Sequence, residues 1–99
     1  MPVYVVVQGN VVDREKIDEY SAKAGPIVIG GGGKILAADD QSEVIEGQPG
    51  TRTVLIEFED RAAFRAWYDS AEYQEVVGLR HEAAPGTMIV ADAFVMPGG

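Results

Sequence analysis

The chain has no cysteine and a single histidine, His81, in 99 residues. Disulfides, thiol nucleophiles and cysteine–zinc sites are therefore excluded, and a multi-histidine metal site within one chain lacks ligands. Positive charge is scarce as well. Eight Lys and Arg stand against sixteen Asp and Glu, for a net charge of −8. Nucleic acids and anionic membranes are bound through a basic footprint, so neither is an expected partner. No apolar run approaches the ~20 residues of a membrane helix. The N-terminal MPVYVVVQG has no basic start and reads as a strand rather than a signal peptide, which makes a cytoplasmic protein the default expectation. Neither a metal nor a cofactor is expected.

What remains is an ordinary globular composition, 46% apolar, in a length that suits one domain. That domain is expected over 1–96, with 97–99 a flexible tail. Residues 3–9, VYVVVQG, are β-branched and aromatic and read as a first strand. Asp13 offers a helix N-cap, and Ile17, Tyr20 and Ala24 follow at helical spacing. Pro26 is expected to break or kink this helix, and Gly30 to Gly33 to end it. KILAA (34–38) reads as a second strand, with a short strand at 43–46 and a turn at Gln48-Pro49-Gly50 after it. Residues 51–59 form the clearest strand. Asp60 caps a helix carrying Phe64, Trp67 and Tyr68. Ser70 offers a fresh cap, after which Tyr73, Val76, Val77 and Arg80 share one face. Residues 87–95 are the last strand.

The order β-α-β-β-α-β predicts an α+β, ferredoxin-like fold: a four-stranded antiparallel sheet with its helices on one face. Three strands are apolar on both faces, as in Val54, Ile56 and Phe58 against Leu55, or Val3, Val5 and Val7 against Val6. Helices cover one face only. The other calls for a second copy of the chain, because monomers seldom expose large apolar patches. A homodimer through sheet faces is the expectation; a poorly covered open sheet is the alternative.

The run RAAFRAWYDSAEYQEVVGLRHEAA (61–84) resembles the helix signature of the family called domain of unknown function 1330. MPVYVVV, Tyr20, Pro26, Gly32-Gly33-Lys34 and VLIEFED (54–60) match it elsewhere, so the resemblance covers nearly the whole chain. It departs at Ala71, where the family usually has proline, at Gly31, and at Ala38 and Asp39, where a basic residue is common. The resemblance implies a dimeric α/β barrel, in which two ferredoxin-like sheets close face to face, and assigns no reaction.

Several residues offer chemistry. GGGGK (30–34) lacks the spacing of a phosphate loop, since Ile35 follows the lysine and a strand follows the loop. Arg80 beside phenols either clamps a carboxylate or folds over the core to an acid. Glu57, mid-strand on the barrel-facing side, is either a proton carrier with a raised pKa or a rim residue in a salt bridge. His81 is either a general base or a solvated surface residue. Tyr20, Trp67, Tyr68, Ser70, Tyr73 and Arg80 are expected to line a site between helices and sheet, with Trp67 mainly in the core. Such a site serves a small organic acid or aromatic, as a binder or as a cofactor-independent enzyme. The alternative is a non-catalytic dimerisation or accessory module whose aromatic motif is structural.

Overall fold

The computed structural model describes residues 1–95 and 97. The expected tail at 97–99 therefore lies almost wholly outside the described residues. Strand β1 (Val3–Gly9) leads into α1 (Arg14–Gly30), β2 (Lys34–Asp39) and β3 (Arg52–Phe58). Two helices follow in succession, α2 (Arg61–Tyr68) and α3 (Ala71–Ala83), before β4 (Gly86–Asp92). The sheet runs β2-β3-β1-β4 with every pairing antiparallel. This is the ferredoxin-like α+β arrangement, with the second helix in two segments.

Each helix starts where a short polar side chain satisfies a backbone N–H. Asp13 Oδ1 accepts from Lys16 N at 3.0 Å, Asp60 Oδ1 from Ala63 N at 2.8 Å, and Ser70 Oγ from Tyr73 N at 3.2 Å. Pro26, expected to break or kink α1, does not break it; the helix runs on to Gly30. The carbonyl that loses its donor is that of Ala22. Ala22 and Pro26 are both exposed, so that carbonyl is left open to solvent and not buried. Gly32, at φ 88, turns the chain into β2.

Two strand expectations are corrected. Residues 43–46 form no strand, because the β2–β3 ladder ends at Asp39↔Thr53 and leaves them no neighbour; Ile45 is exposed. In the same loop the left-handed residue is Gly47, at φ 86, just ahead of the predicted turn. The last strand stops at Asp92 rather than at 95. Its partner β1 begins at Val3, opposite Asp92, and among the described residues only the Ala93 N to Pro2 O bond lies beyond.

The core lies between one sheet face and the helices. Val3, Val5, Val7, Ile56 and Phe58 face Ile17, Tyr20, Ala24 and Val28 of α1, Phe64 and Trp67 of α2, and Tyr73 and Val77 of α3. Among the described residues no helix is long and apolar enough to cross a membrane.

Candidate functional site

The helix face of the sheet is not filled everywhere. Between α1 and the strands lies a cavity of about 130 Å³. Its walls are mostly apolar, with Ala24 and Val28 of α1 on one side and Val7, Val54, Ile56 and Met88 of the sheet on the other. Five side chains bring polarity to it: Tyr20, Ser21, Arg52, Trp67 and Arg80. Ser21 and Gly25 of α1 and Ile35 and Ala38 of β2 stand where these elements are exposed or half-buried, and mark the way in.

Helical spacing explains why the α3 residues converge. Tyr73, Val77 and Arg80 recur on one turn after another, and all three are buried. Tyr73 reaches α1, where its hydroxyl and that of Tyr20 share a 2.8 Å hydrogen bond, their rings edge to face at 6.4 Å. Burial holds the Tyr20 phenol well above its ordinary pKa, and the charge and hydrogen bond of the Tyr73 hydroxyl act in the same direction. The guanidiniums of Arg80 and Arg52 pull the other way. Tyr20 is therefore a neutral hydrogen-bonding wall, not a phenolate base.

The two arginines differ in their pairing. Arg52 is 7% exposed, meets Asp40 at 3.5 Å and lies 5.9 Å from the Tyr20 ring centre. Arg80 is 5% exposed and pairs with no carboxylate among the described residues. Its Nη2 approaches His81 Nε2 at 3.4 Å, and its Nε is buried without a hydrogen-bond partner there. Trp67 Nε1 is likewise buried and unpartnered among the described residues.

The other expected site residues are placed as follows. Trp67, 3% exposed, packs against Phe58, Phe64 and Tyr73, the last ring centre 4.3 Å away, and still reaches the cavity. Tyr68 is half-buried, stacked on Phe64 at 5.9 Å and 5.7 Å from Tyr73, away from the cavity wall. Ser70 donates to Trp67 O at 2.7 Å and caps α3, and lies in a second, shallower groove with Pro26, Gly31 and Glu72. Glu57 is on the opposite face of the sheet, across from Tyr4 and 3.8 Å from Lys34 Nζ. His81 is exposed and touches the site only through Arg80. The structure thus brings Tyr20, Trp67 and Arg80 to the cavity, sets Tyr73 behind them against Tyr20 and Trp67, and leaves Glu57, Tyr68, Ser70 and His81 outside it.

Arg52 is the residue the sequence reading passed over. Its signal was present: in Arg52, Val54, Ile56, Phe58 it continues the period-two row that faces the helices.

Fold and cavity together define a small ferredoxin-like protein with an internal pocket of mostly apolar walls and two guanidiniums. The chain belongs to the family described as Domain of unknown function (DUF1330), whose model matches residues 2–94. No curated protein matches it in sequence. Among solved structures it is similar to a protein of unknown function from Rhodopseudomonas palustris, at 17% identity and a TM-score of 0.76, over 96% of this chain and 84% of that one. A dimeric ferredoxin-like protein of unknown function from Jannaschia sp. CCS1 matches at 17% identity and a TM-score of 0.65, over 96% and 100%. An antibiotic biosynthesis monooxygenase matches at 20% identity and a TM-score of 0.55, over 96% and 99%. At these identities the likeness is one of fold.

Proposed function

We propose that the protein is a homodimer that binds a small organic molecule in the cavity between α1 and the sheet. The observation that carries the reading is the cavity itself: apolar walls with a few convergent polar groups, two of them buried guanidiniums, is the usual make-up of a ligand pocket. Proton transfer is not assigned to it. Glu57 and His81, the two candidate proton carriers, stand outside its walls. A cytoplasmic location belongs to the same proposal, supported by a chain without cysteine.

The dimer rests on the open face of the sheet. Register places Ala37, Leu55, Val6 and Ile89 side by side across all four strands, an unbroken apolar row. Polar rows flank it, Lys34, Glu57 and Tyr4 on one side and Thr53, Gln8 and Thr87 on the other. An apolar centre with a polar rim is the anatomy of a protein interface, and a second copy supplies a matching row. The relative from Jannaschia is itself dimeric.

The accessory-module reading has one observation in its favour. Phe58, Phe64, Trp67, Tyr68 and Tyr73 pack ring on ring, as a purely structural motif would. Trp67 is the only tryptophan and lines the cavity, so its fluorescence separates the two readings. Titration with phenol, benzamide, benzoate and hexanoate is expected to give saturable change with at least one compound. Ala38→Phe, at the exposed mouth, is expected to abolish that change while the fold melts as before. No change with any of the four leaves the accessory module.

A further inference from the structure

Resting on the reading of the cavity as a ligand site, we propose that its ligand is a monocarboxylate with a compact apolar body, the carboxylate held by Arg80 and the body by the apolar walls. Charge is the first support. Two guanidiniums reach the cavity, no carboxylate among the described residues lines it, and Asp40 pairs with Arg52. Asp40 divides itself between Arg52 at 3.5 Å and Arg14 at 2.8 Å. Arg80 has no such partner among the described residues, and a buried guanidinium without a counter-ion is costly. One monoanion balances the remaining positive charge.

Hydrogen-bonding capacity is the second support. The Arg80 Nε is buried and unpartnered among the described residues, and the Nη2 contact to His81 is long at 3.4 Å. The planar guanidinium fork matches the two oxygens of a carboxylate. Phosphate fits less well. The α1 residues at the cavity, from Tyr20 to Val28, come from the middle and C-terminal half of that helix, so no helix N-terminus is there to hold a dianion.

Size is the third. A cavity of about 130 Å³ is slightly smaller than the ~150 Å³ apolar cavity that takes up benzene. The apolar body is thus about six carbon atoms or fewer, ring or short chain.

Isothermal titration of the full chain with benzoate, benzamide and inorganic phosphate tests this. Benzoate is expected to bind roughly tenfold or more tightly than benzamide, its neutral counterpart, and phosphate more weakly than either. Arg80→Met is expected to bring benzoate down to the level of benzamide while the melting temperature holds or rises, because a buried unpaired charge is gone. Arg80→Lys is expected to keep part of the preference, and serves should the methionine variant fail to fold. Equal binding of benzoate and benzamide, benzoate binding untouched by Arg80→Met, or preferred phosphate overturns the carboxylate assignment and leaves the ligand site standing. A sharp fall in melting temperature in both Arg80 variants marks a packing residue and also overturns it. No binding by any of the three, with Trp67 fluorescence unchanged by the wider panel, overturns the ligand site as well.

Discussion

The hydroxyls of Tyr20 and Tyr73 have each other and, among the described residues, no other hydrogen-bond partner. Both tyrosines are buried, so removing one hydroxyl strands the other. Tyr20→Phe and Tyr73→Phe are each expected to cost about 1–3 kcal/mol in urea unfolding. The double variant is expected to cost clearly less than the sum, since no stranded group remains. The alkaline limb of stability follows from the same pair. The folded-state pKa of Tyr20 is raised, so its stabilising contribution is complete below the unfolded tyrosine value of about 10. Above that pH the unfolded chain loses its proton first, and stability falls. Tyr20→Phe is expected to flatten this fall; an equally steep one would show that other groups govern it. At this scale the inward placement of Tyr20, Tyr73 and Arg80 was legible in the sequence, because helical spacing sets each on the apolar face of its own helix. Arg52 was legible in principle but is an arginine in a strand, where polarity draws attention away from its inward register.

Among the elements, the hand-over from α2 to α3 matters most for the site. Ser70 donates to the carbonyl of Trp67 and accepts from the N–H of Tyr73, so one hydroxyl ties the end of one helix to the start of the next. It thereby sets the angle at which Trp67 and Tyr73 meet. Ser70→Ala is expected to cost about 1 kcal/mol and to weaken any cavity ligand in proportion to the shift in Trp67. The α1–β2 connection has a different constraint. A Cβ at Gly33 would lie 2.6 Å from Val28 Cγ1 and 2.9 Å from Phe58 Cζ, so Gly33→Ala is expected to cost about 1–3 kcal/mol through overpacking. Gly78 in α3 has open space around it, and Gly78→Ala is expected to stabilise by about 0.5–1 kcal/mol. The helix caps were readable because Asp and Ser carry their capping chemistry with them. The strand at 43–46 and the extension to 95 were misread because pairing needs a neighbour, and local apolar pattern does not report one. The break allowed for at Pro26 did not occur, because its cost depends on whether the freed carbonyl faces water.

For the whole molecule, the sheet divides the labour. One face carries the core and the cavity, and the other carries the apolar row through Ala37, Leu55, Val6 and Ile89. Light scattering is expected to find a dimer at micromolar concentration. Leu55→Glu, which sets a charge in the middle of that row, is expected to give monomers that still fold. A stable wild-type monomer would contradict the dimer and leave the cavity untouched. The two-faced apolar strands made the fold and the need for a cover legible early. A site between helices and sheet was expected, but its strand-side walls were not legible, because where a void opens between α1 and the sheet depends on side-chain volumes meeting in three dimensions. The central claim is that this void holds a small organic acid, and a crystal structure grown with benzoate tests it most directly. The account predicts the ring between α1 and the sheet, with a carboxylate oxygen within about 3 Å of an Arg80 nitrogen. Benzoate bound only elsewhere, or Arg80 turned away from it to a carboxylate of the protein, would contradict it.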